Sequence, residues 1–194
     1  MQNSGPKRVS GLFKSVWFLI AGLLLLGHTP GLAEPYLRVS KNGVVYYHFN
    51  SKDDILILAN ERFMVPLMKF MVEADNYPQA SEGLTAYIKQ YLTYWMQHPR
   101  ELSFIFLTMA KTISDKNLWR LYNGYTKQMA AFFEGMYRKG ITAGEFMTFD
   151  ARSVSVSLMA ALDGIIGYLV MDKDLSLENT IAHFIETFIN AYKE

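Results

Sequence analysis

From Ser51 onward, apolar residues recur three and four positions apart along most of the chain, the spacing of amphipathic helices. Ser51 followed by Asp54 is a capping-box-like start to a helix. It runs through Ile55, Leu58, Ala59, Arg62 and Phe63 to about residue 71, with Pro66 as its kink. Residues 75–78 break the chain, and Ser81 is placed to cap a second helix. Leu84, Tyr87, Ile88, Tyr91, Leu92, Trp95 and Met96 share one face of it, and His98-Pro99 ends it because the residue before proline leaves the helical region. A third helix over about 101–113 is apolar on nearly every side (Leu102, Phe104, Ile105, Phe106, Leu107, Met109) and must be surrounded. Ser114 or Asp115 caps the fourth, whose stripe is Leu118, Leu121, Tyr122, Tyr125, Met129, Phe132, Phe133 and Met136. Arg138 and Lys139 suit its negative end, and Gly140 its left-handed cap. Asp150 opens a fifth helix to about 170, and Ser176 a sixth to about 192. The pattern predicts an all-α body of about six helices joined by short loops.

The last two helices carry more apolar surface than one chain readily hides. The sixth shows Leu177, Ile181, Phe184, Ile185, Phe188 and Ile189. The fifth shows Val154, Leu158, Ala161, Leu162, Ile165, Ile166 and Leu169, with Ala160, Ala161, Gly164 and Gly167 permitting close helix approach. A twofold copy forming a four-helix bundle would cover such a pair, and a thicker monomer core is the other solution.

The residues before Ser51 read differently. Lys7, Arg8 and Lys14 precede or enter a stretch whose residues 16–27 carry no charge; Pro30, Gly31 and Ala33 then lead to Glu34. A basic start, a short apolar middle and a small-x-small end form a secretory-signal pattern, shorter than the ~20 apolar residues of a membrane span. A buried first helix is the other reading, and residues 16–26 are helical in both. Residues 36–40 and 44–49 flank Asn42-Gly43, a strong hairpin signal.

Against that hairpin stands a resemblance. Val39-Ser40-Lys41-Asn42-Gly43-Val44-Val45-Tyr46-Tyr47-His48-Phe49, followed by Ser51-Lys52 and Leu56, resembles the second half of the helix-turn-helix of TetR-family transcriptional regulators. Gly140-Ile141-Thr142-Ala143-Gly144-Glu145-Phe146 and the helices around it look like that family's ligand-binding half, so the likeness covers about 39–194. It implies a repressor that binds double-stranded DNA as a homodimer, through the fifth and sixth helices, and is released by a small apolar or aromatic effector. Ser40 and Lys41 would open the recognition helix, Gly43 would fill its small position, Tyr46 and Tyr47 would offer a packing ring and a hydroxyl for phosphate, and His48 and Lys52 would reach the phosphate backbone. Phe49 would plug the core. The chain departs from the family where nothing in 1–38 matches the first helices of the motif. Asn42 is also one residue too many, rotating a helical face by about 100°. The expected organisation is a signal-like or buried segment (1–34), an incomplete or disrupted helix-turn-helix (35–60) with impaired DNA binding, and a TetR-like effector-binding and dimerisation domain (61–194). The alternatives are an exported or membrane-tethered helical protein, or a ligand-binding dimer whose DNA-binding half does not function.

Composition narrows the chemistry. Hydrophobic residues make up 51% and charged residues 19% of the 194, which suits a packed globule. A net charge of +1 means that any DNA contact is a local patch. The absence of cysteine fits a cytoplasmic protein, with export or membrane association through 7–33 as the alternative. His28, His48, His98 and His183 show no ligand spacing, and no nucleophile, phosphate or dinucleotide motif appears. No enzyme, metal site or cofactor is expected. Aromatic and methionine residues (Phe104, Met109, Trp119, Tyr122, Phe133, Met136, Met159) are candidates for an apolar effector pocket or plain core, with Asp163 or His183 as polar anchor. The dimer candidates are Leu158, Ala161, Ile165, Ile181, Phe184, Ile185 and Phe188.

Overall fold

The helical spacing resolves into six α-helices in a computed structural model that describes residues 52–193. They are α1 (Lys52–Asp75), α2 (Ala80–Gln97), α3 (Pro99–Lys111), α4 (Lys116–Thr142), α5 (Ala151–Met171) and α6 (Leu177–Phe188), with a 3₁₀ turn at Asn190–Tyr192. The body is the compact unit Leu56–Glu194. Among the described residues the sole strand-like pairing is an antiparallel bridge between Phe146 and Lys193, so the body is all-α.

Helix α2 is central and touches α3, α4, α5 and α6. Its Leu84, Tyr87, Ile88 and Leu92 are fully buried, as the single apolar face requires. It also crosses α1 closely. A Cβ on Gly83 would collide with the Ala74 carbonyl oxygen and lie 2.6 Å from Met136 Cε. Three helix starts follow from local capping: Asp115 accepts the amides of Asn117 and Leu118, Asp150 those of Arg152 and Ser153, and Ser176 that of Asn179.

Several boundaries differ from the sequence expectation. Helix α1 carries Pro66 inside it and continues to Asp75, since no further breaker stands between Pro66 and the Asn76–Pro78 turn. Ser81 caps nothing. It is the second residue of α2, and Glu145 reaches across to accept the Ala80 amide at Oε1 and the Ser81 amide at Oε2, both at 2.9 Å. Gly140 is not a left-handed cap but a buried residue inside α4, where a Cβ would strike the Phe146 ring. The left-handed residue is Gly144, at φ +72°. Helix α3 starts at Pro99, whose missing N–H suits a first turn. It is not surrounded: Leu102, Ile105 and Thr108 form one buried stripe, while Leu107 and Ile113 just beyond its end are 73% and 92% exposed. Helix α6 stops at Phe188, whose carbonyl accepts the Tyr137 hydroxyl at 2.9 Å.

Candidate functional site

Five helices converge on a cavity of about 70 Å³, room for about two waters. Helical repeats explain the lining. Tyr91 and Trp95 lie four apart on α2, Leu102, Ile105 and Met109 on α3, Tyr122, Tyr125 and Met129 on α4, Met159, Asp163 and Ile166 on α5, and Met64 and Leu67 on α1. Phe106, Met109 and Asp163 keep exposed surface, so the cavity communicates with solvent.

The polar content is sparse. Tyr91 Oη donates to Asp163 Oδ1 at 2.7 Å. The Tyr91 ring stacks on Tyr87, centroids 5.9 Å apart, and meets Trp95 edge-on at 6.4 Å. Burial pushes the Asp163 carboxyl above its ordinary value, and the Tyr91 hydrogen bond offsets this only in part. Although more than a third of the residue's surface is open, crowding around the carboxyl group decides the direction. Burial likewise raises the Tyr91 phenol well above its usual range, reinforced by the Asp163 charge. No ion pair reaches Asp163 among the described residues. Trp95 Nε1 is buried without a hydrogen bond of ordinary geometry.

Beside the cavity, α1, α3 and α4 share a buried polar knot. Asn60 Oδ1 accepts from Thr108 Oγ1 at 2.9 Å and from Tyr122 Oη at 2.6 Å, while Asn60 Nδ2 donates to the Leu56 carbonyl at 2.7 Å. Tyr122 thus belongs both to the knot and to the cavity wall.

Four of the sequence-predicted pocket residues meet at this cavity: Met109, Tyr122, Met159 and Asp163. Phe104 packs edge-on against Phe63, centroids 5.4 Å apart. Phe133 and Met136 are fully buried elsewhere in the core, and Trp119 is 55% exposed. His183, the other anchor candidate, is at the surface with Thr187 as its neighbour. Sequence reasoning missed Tyr91, Trp95 and Tyr125, although all three stand in helical stripes it had identified. A broader depression of about 500 Å³ opens at the surface beside Gln79, Glu82 and Lys89, and none of the predicted residues lines it. Among the described residues no group of three or more His, Cys, Asp or Glu is placed to hold a metal.

Of the residues proposed for association, Leu158 and Phe184 are buried within the chain. Ala161, Ile165, Ile181, Ile185 and Phe188 are half-buried against the same core. The outward face of α5 carries Ala160, Gly164, Tyr168 and Met171 instead. Of the DNA-contact candidates, Lys52 is the first residue of α1. Ser40, Lys41, Gly43, Tyr46, Tyr47 and His48, together with Phe49 and the 16–26 segment, lie outside the described residues. Helix α5 is long and apolar enough to cross a membrane by length and composition, yet its Leu158, Leu162, Ile166 and Leu169 sit in the core, as a core helix of the same composition would have them.

No protein-family model and no curated protein matches the sequence. Solved structures do match. A transcriptional regulator from Saccharomonospora viridis in complex with choline has a TM-score of 0.69 at 22% identity, covering 81% of this chain and 83% of that one. A TetR transcription regulator from Haloarcula marismortui gives 0.66 at 18%, covering 77% and 83%. The fatty acid degradation regulator FadR from Bacillus halodurans gives 0.62 at 18%, covering 78% and 82%. At these identities the likeness establishes the fold: the chain has the all-α architecture of TetR-family transcriptional regulators.

Proposed function

We propose that the chain is a one-component transcriptional regulator of the TetR type, acting in the cytoplasm as a repressor. In this reading a homodimer binds double-stranded DNA through residues 35–60, and a small apolar or aromatic effector in the helical body releases it. The observation that carries the reading is the five-helix cavity with its aromatic wall and lone carboxylate, in a fold shared with regulators, one of which is solved with choline. The second copy is supported by the outward face of α5, where Tyr168 and Met171 are 63% and 75% exposed beside open space at Gly164 and Gly167.

A second reading, an effector-binding dimer whose DNA-binding half does not function, is favoured by the extra Asn42 and the unmatched residues 1–38. A mobility-shift assay on the chain's own upstream DNA decides between them. Sequence-specific binding that weakens steeply as salt rises supports the repressor. No specific shift by this chain, with binding gained after deleting Asn42 and supplying a complete helix-turn-helix front, supports the second.

A further inference from the structure

Glu134, the one carboxylate of α4, is answered by two cations, Arg138 and Arg152. Asp163 is answered only by the Tyr91 phenol. A carboxylate drawn partly out of water is costly unless an opposite charge or several donors replace the lost hydration. One phenol is a partial replacement. Among the aliphatic residues of the wall stand the rings of Tyr91, Trp95, Tyr122 and Tyr125, and aromatic faces attract cations and not anions.

From this juxtaposition the geometry points to an organic ammonium ion as the occupant of the cavity, with its charge at Asp163 and its alkyl groups against the aromatic wall. The assignment rests on the reading of the body as an effector-binding domain and names the class of effector. An anionic ligand would meet Asp163 as a like charge. A neutral hydrocarbon would suit the aliphatic lining but leave the carboxylate without a counter-charge. A metal ion would lack further ligands among the described residues. An ammonium head with methyl or methylene substituents answers both parts of the wall at once, the carboxylate by charge and the rings by cation–π contact. The space of about 70 Å³ admits a head group of a few heavy atoms. Unbranched methionines, Met109 and Met159 among them, can shift rotamers to admit more, and the exposed edges of Phe106 and Met109 leave room for a tail to pass outward.

The test compares phenyltrimethylammonium with its uncharged isostere tert-butylbenzene, by calorimetry on the full chain and on Asp163→Asn. The expected result is that the wild-type chain binds the cation at least about tenfold more tightly than the isostere, and that Asp163→Asn removes this preference while leaving the isostere's affinity unchanged. The wild-type comparison needs no variant, and a helical circular dichroism spectrum checks that Asp163→Asn is folded. Equal affinity for the two compounds in the wild-type chain, or an undiminished preference in Asp163→Asn, overturns the ammonium assignment while leaving an apolar effector pocket standing. Binding of neither compound overturns the assignment, and failure of a wider panel of apolar and aromatic compounds would then remove the effector-pocket reading itself.

Discussion

Glu145 and Asp163 both reach across from one helix or loop to another, and they end in opposite circumstances. Burial alone would raise the Glu145 carboxyl, but the amides of Ser81 and Ala80, the Ser81 hydroxyl and nearby Lys139 together hold it below its ordinary value. The same corner is tied a second time, because Lys139 Nζ donates to the carbonyls of Asp75 and Tyr77 at the end of α1. One short segment, 139–145, therefore holds both sides of the α1–α2 turn. Asp163 has a single phenol, and the balance tips the other way. Where the chain supplies all the partners of a buried charge, that charge is part of the scaffold. Where it withholds them, as at Asp163, a counter-charge is what the proposed ammonium ion would supply.

The largest expected effect breaks the over-determined corner. In Gly83→Ala the new methyl group would meet backbone, the Ala74 carbonyl, as well as Met136. We expect a loss of about 3 kcal/mol, read as a fall in Tm of about 10 °C. Gly135→Ala, in the open on α4, should instead gain up to about 1 kcal/mol; similar losses in both would show that the crossing is not tight. A smaller effect sharpens the contrast. Glu145→Gln removes the charge from the α2 cap and should cost about 1–2 kcal/mol near neutral pH. Because the folded pKa lies below the ordinary value of 4.5, the wild-type advantage is present above that value and fades as pH falls through the folded one. A difference that stays constant through acid denaturation melts would contradict the charge-assisted cap. The smallest effect has the opposite sign. Asp163 is raised above its ordinary 3.8, so unliganded wild-type chain should lose stability as pH rises from there through the folded value. Asp163→Asn should lack this loss. A wild-type advantage that grows across that window would show Asp163 to be satisfied.

The same division governs what could be read from the sequence. Asp115, Asp150 and Ser176 were legible as caps because each accepts amides two or three residues onward. Ser81 and Gly140 were misread because their circumstances are set from a distance, by Glu145 64 residues away from Ser81 and by the Phe146 ring folding back on Gly140. In the cavity, helical periodicity identified faces but not depth along them. Tyr122, Tyr125 and Met129 line the cavity, whereas Phe133 and Met136, on the same stripe of α4 one and two turns later, fill solid core. Asp163 was conspicuous because it is a lone acid in Ala160–Ile165. Tyr91 and Trp95 were passed over because nothing in a stripe of aromatics distinguishes a wall from a filling. The exposure of α3 was invisible for a further reason: where apolar residues fall on several faces of a helix, their spacing does not say which face is buried, and here it is that of Leu102, Ile105 and Thr108.

The cap that Glu145 places on α2 also has a consequence in time. A helix capped by its own neighbours can close its first turn as soon as it forms. The first turn of α2 waits for a residue that arrives only after α3 and α4 have been laid down and the 143–150 loop has docked. Its leading amides are therefore expected to become slow to exchange with solvent together with the closure of that loop, and to be released together when it opens. The start of α2 and the 143–150 loop are expected to open as one unit, with hydrogen exchange at Ala80 and Ser81 reporting on a loop more than sixty residues downstream.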